Sequence, residues 1–153
     1  MPTASEPAGL VTRRRRADQP SATPRPYRWI FTVVEAFVAL GGLIGTVMLV
    51  AGVGTPPLSA ISSLGLSSWV VPGLWLFVSV TVPSATAAVL AGVGSRWAPV
   101  AVLVASACLV MELAVQIPFL GFSVFQPVFG LIAVVMAVLA LLARDAGWWP
   151  RPR

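Results

Sequence analysis

Two carboxyl side chains, Glu35 and Glu112, stand inside long apolar stretches; with Arg96 they are the only acid or base residues between Trp29 and Ala143. A carboxyl in such surroundings either binds a proton or a cation, or serves as a neutral, hydrogen-bonded packing element that fixes helix register. Ala101, Ala105, Cys108, Glu112 and Gln116 recur at spacings of three and four, so they share one helix face. The rest of that helix is Val, Leu and Met, so the polar face must point into a bundle. Further along, Gln126, Gly130, Ala133, Ala137 and Ala140 repeat the spacing as a small-residue stripe. The short link 121–124 makes these two helices an antiparallel hairpin. Counting outward from it predicts Glu112 level with Gly130 to Ala133, and Gln116 near Gln126. Gly130 should leave room for the glutamate, and the two glutamines could bond to it or to each other. Burial away from countercharge favours the neutral acid.

Glu35 lies about 10 Å along its helix from Trp29, close enough to snorkel toward the interface. Pairing with Arg28 or Arg144 is its bland account. The face above it continues through Ala39, Gly42, Thr46 and Val53, and Gly41 and Gly45 add a GxxxG spacing for close helix approach. The candidate polar site is therefore Glu112, Gln116, Gln126, Glu35 and Thr46. Pro83 removes a backbone donor and, in an α-helix, frees the carbonyl of Ser79; Ser79, Pro83 and Thr86 would then share a bent face. The single cysteine, Cys108, has no His or Lys to activate it, and the chain contains no histidine at all. No Ser–His, Asp–Asp, metal or dithiol set can be assembled, so an enzyme is not expected, nor is a cofactor or metal site.

These residues must be positioned by membrane helices. The 153 residues are 58% hydrophobic and 10% charged, with a mean hydropathy of +0.91, values outside the usual soluble range. Four apolar spans, at about 29–53, 69–92, 97–120 and 125–143, each match the roughly 20 residues of a crossing. The expected fold is all-α: an integral-membrane four-helix bundle over 27–144, in the cell membrane of a bacterium. Residues 1–26, rich in Pro, Ala, Ser and Thr, are expected to be a disordered tail, and 145–153 a second tail. All ten arginines fall on the side shared by both tails and Arg96, whereas 54–68 and 121–124 carry no charge. This predicts cytoplasmic termini. Tyr27, Trp29, Trp97, Trp148 and Trp149 mark the inner interface and Trp69 the outer one. Leu58, Ile61 and Leu64 suggest a short amphipathic piece on the outer membrane surface. Arg13, Arg14, Arg15 and Arg16 read as a topology signal that touches anionic lipid. Without interleaved aromatics they are not expected to bind nucleic acid.

From Val33 to Ala143 the chain resembles the DoxX-like group of small four-helix bacterial membrane proteins. The likeness rests on Gly41, Gly42 and Gly45 in the first span, Pro72-Gly73 opening the second, and an acidic residue in the third. Glu35 stands where such proteins would carry a basic residue, and the resemblance transfers no catalytic residue. A first-span glutamate followed by small residues is also similar to small multidrug-resistance transporters.

Two functions compete. One is a non-catalytic scaffold or accessory component that assembles with itself or with a membrane-protein partner. The other is a proton- or cation-coupled small-molecule transporter working through Glu112. The sequence favours the scaffold, and what surrounds Glu112 separates the two.

Overall fold

The computed structural model describes residues 25–148. Among them are four helices long and apolar enough to cross a membrane, and no strand. Helix α1 is Arg25–Ala51 and α2 is Val70–Gly92. Helix α3 is Ala98–Leu120 and α4 is Phe125–Asp145. The expected tail residues Arg13, Arg14, Arg15 and Arg16 lie outside the described residues, as do Trp149, Arg151 and Arg153.

Local chemistry explains the ends. Gly94 takes a positive φ of 69° just after α2. Its amide donates to Ala91 O at 2.9 Å while the Ser95 amide donates to Leu90 O at 2.8 Å, closing the helix with a left-handed cap that a side chain would strain. Pro99 and Pro127 sit in the first turns of α3 and α4, where no intrahelical donor is lost. Pro118 does not end α3, which runs on to Leu120 before Gly121 turns the chain.

The helices pack in chain order, α1 on α2, α2 on α3, α3 on α4, while α1 and α4 meet only sparsely. One end of the bundle holds the start of α1, the turn 93–97 and the end of α4; we call it the near end. The far end holds the loops 52–69 and 121–124. Alanines let the helices approach at the near end, where Ala87, Ala91, Ala98, Val102, Met136 and Ala140 bury around Phe31. Trp148 closes this core. Its ring stacks on Phe31 with centroids 5.7 Å apart, and its indole N–H donates to Ser95 O at 3.0 Å. Trp148, expected to mark the inner interface, is packed into this core and only 5% exposed.

Close approach of α1 to α2 rests on Gly42 and Gly45, the latter with a Cβ position 3.0 Å from Leu76 Cδ2, and not on Gly41. A Cβ on Gly42 would lie 2.7 Å from Thr81 Oγ1, whereas one on Gly41 would meet nothing. The far-end loop forms two short 3₁₀ turns, Leu58–Ala60 and Ser62–Leu64. The spacing of three in Leu58, Ile61 and Leu64 suits that tighter helix, but only Ile61 is buried, so the segment covers the bundle through one residue. Trp69 ties the loop down by donating its indole N–H to Pro56 O at 2.9 Å.

Candidate functional site

The site begins with a slip in the hydrogen-bond ladder of α2. Over Phe77–Thr81 the helix is wound as a π turn, and the Val82 amide donates to Phe77 O, five residues back. Pro83 follows at once and has no N–H to donate, so the ladder slips here without forfeiting a further bond. The wider turn points Ser79, Val80 and Thr81 inward in succession, all buried. It also splits the face expected for Ser79, Pro83 and Thr86. Ser79 faces the core, while Thr86 is exposed and donates to Val82 O at 2.8 Å.

Glu112 meets Ser79 across the α2–α3 contact. Its Oε2 is 2.8 Å from Ser79 Oγ, and its Oε1 accepts from Gln116 Nε2 at 3.1 Å. The carboxyl is only 5% exposed, yet it lies in the walls of two cavities. The first, about 270 Å³, runs under the far-end loop among Ile61, Leu64, Trp69, Trp75 and Phe119. The second, about 290 Å³, opens between α1 and α4 among Val38, Gly41, Gly42, Phe125 and Phe129. Leu76, Glu112, Gln116 and Leu120 belong to both walls. Only the second cavity lies where α1 and α4 part company; the first is walled by α1, α2, α3 and the far-end loop.

Of the five residues expected to form one polar site, the structure brings Glu112 and Gln116 together and places three elsewhere. Gln126 caps its own helix: its Oε1 accepts from the Ser123 amide and its Nε2 donates to Gly121 O at 2.9 Å. It therefore bonds to neither Gln116 nor Glu112, although it does line the second cavity. Thr46 donates to Gly42 O at 2.9 Å and packs its backbone beside Gly73. Glu35, 3% exposed, hydrogen-bonds with Ser84 of α2. Its expected partner Arg28 instead donates to Gly92 O. Gly130 does not accommodate the glutamate either. The atom nearest to a Cβ there would be Leu113 Cδ1, at 3.9 Å. Leu113, the next residue, is the one beside Gly130, and Glu112 turns toward Ser79 of α2.

Sequence reasoning missed both serines as acid partners. The available signal was Ser79 and Ser84 flanking Pro83 on the one apolar helix with an interior proline near its middle. Two further buried hydroxyls, Thr81 and Ser106, have no hydrogen-bond partner among the described residues.

Ser79 can meet either charge state of the Glu112 carboxyl. Ser79 Oγ is 2.8 Å from both Trp75 O and Glu112 Oε2, and a hydroxyl has one hydrogen to donate. Beside a carboxylate, Ser79 donates to Glu112. Beside the neutral acid, Glu112 donates to Ser79, which then donates to Trp75 O. Both charge states leave the carboxyl hydrogen-bonded. Among the described residues no three His, Cys, Asp or Glu side chains gather as a metal site. No family model, curated protein or solved structure matches this chain, so its residues alone must speak for its role.

Proposed function

We propose that the protein is a proton- or cation-coupled carrier of small molecules that works through Glu112. The observation that carries this reading is the position of one hydrogen-bonded carboxyl in the shared wall of two cavities. A residue that served only to pin register would be expected in a closed pocket. Glu112 instead faces space that a small apolar molecule could fill, with Gln116 and three aromatic rings nearby. The near end is packed shut around Phe31 and Trp148, while both cavities lie toward the far end, an asymmetry that one state of an alternating carrier would show. On this reading the protein lies in the cell membrane with both termini cytoplasmic, and the cavities face outward.

The scaffold reading keeps one specific support. Glu112, Gln116 and Ser79 form a satisfied network that would fix the register of α2 against α3 without any transport. Glu112→Gln separates the two, because glutamine keeps the shape and the acceptor but releases no proton. Purified protein in vesicles, with a pH dye inside and an imposed potassium diffusion potential, reads proton entry directly. The carrier reading expects a folded Glu112→Gln variant to lose that flux. Unchanged flux in the variant would take Glu112 out of the path, and a parent with no flux above that of protein-free vesicles would promote the scaffold.

A further inference from the structure

Glu35 is a second buried acid, and a carrier working through Glu112 alone has no use for it. It sits on α1, Glu112 on α3, and each hydrogen-bonds to a serine of the helix between them: Ser84 for Glu35 and Ser79 for Glu112. We infer that Glu35 and Glu112 are the two ends of one proton path along the inward face of α2, through Ser84, Thr81 and Ser79. The inference rests on the reading of Glu112 as a proton-exchanging group.

Three features support the path. The π turn aims both Ser79 and Thr81 into the bundle, so α2 presents three hydroxyls between the acids. At 1.5 Å per residue the rise from Ser79 to Ser84 is about 7.5 Å, which one or two waters would bridge. Thr81 Oγ1 and Ser106 Oγ are buried polar atoms without a partner among the described residues, and such groups are the usual anchors of internal water. Finally, two of the described guanidinium groups are engaged away from the acids: Arg28 turns to Gly92 O and Arg96 lies over the Trp97 ring.

The two ends differ in access. Glu112 borders the far-end cavities. Glu35 lies one helical turn beyond Phe31, whose ring is stacked under Trp148, so that stack stands between Glu35 and the near end. A proton taken up at Glu112 would pass to Ser79 as Ser79 passes its own hydrogen onward. The same exchange at Thr81 and Ser84 would deliver one proton to Glu35, with no net change in any hydroxyl.

Thr81→Val is the sharpest test. It is isosteric and deletes a hydroxyl with no hydrogen-bond partner among the described residues, so a purely structural Thr81 predicts normal folding and normal flux. In the vesicle assay the path predicts that Thr81→Val lowers proton flux at least tenfold while its detergent melt stays at or above that of the parent. Glu35→Gln should do likewise, with Glu35→Asp restoring part of the rate. Loss of flux in Glu112→Gln with parental flux in both Glu35→Gln and Thr81→Val would overturn the path and leave Glu112 as the sole proton site. Parental flux no greater than that of protein-free vesicles would overturn both readings.

Discussion

Ser79 has one hydrogen and two acceptors in reach, which is why it matters more than its size suggests. Removing it leaves Glu112 with Gln116 as its remaining hydrogen-bond partner. Stripping a buried polar group of a partner costs about 1–3 kcal/mol. Glu112→Leu should therefore lower stability by about that much, since Ser79 and Gln116 each lose an acceptor. Glu112→Gln should be nearly silent in the same detergent melt, because the amide oxygen still accepts. Equal destabilisation by Gln and Leu would mean that the negative charge, and not the hydrogen bonding, holds Ser79 and Gln116.

At the scale of the elements, α2 is the helix that both acids use, and its fit against α1 depends on missing side chains. A methyl on Gly42 would press into Thr81 Oγ1 at 2.7 Å and approach the Thr81 backbone nitrogen at 3.4 Å. Overpacking of this kind costs about 1–3 kcal/mol, so Gly42→Ala should lower the melting temperature clearly. Gly130→Ala on α4 makes only ordinary contact with Leu113 and adds helix propensity worth up to about 1 kcal/mol. It should leave the melt unchanged or raise it. The reverse order would show that α3 and α4, not α1 and α2, make the tightest approach.

For the whole molecule, the contrast is between a near end sealed by aromatic rings and a far end left hollow. Truncation of a buried tryptophan costs about 3–5 kcal/mol, so Trp148→Ala should lower stability by about that amount. Should the rings also stand between Glu35 and the near end, proton flux in vesicles should rise in the same variant. A destabilised variant with parental flux would make Trp148 a staple and not a gate. Orientation is open to a separate check: reporter fusions after Arg153 should read cytoplasmic and those within 54–68 external. A cytoplasmic signal from the loop would invert the carrier reading.

The positions of the four apolar helices followed from the sequence, because hydropathy over about 20 residues is a local sum that packing scarcely alters. The start of α1 and the 3₁₀ form of the far-end loop departed from expectation in detail only. Glu112 and Gln116 were also legible as a pair, since a spacing of four on one helix needs no tertiary information. Their partner was not. A helix face spans two neighbours, and counting along the α3–α4 hairpin favoured α4, whereas the side chain turns to α2. A one-residue slip in the ladder of α2 rotates everything beyond it by about 100°, and no periodicity count anticipates where that slip falls. So Ser79 and Ser84 became acid partners and Thr86 turned outward, while Gln126 was taken by the local backbone at the start of α4. The burial of Glu112 was written in the chain; that Glu35 is buried as well, and which hydroxyls meet the two acids, was decided only when α2 packed between α1 and α3.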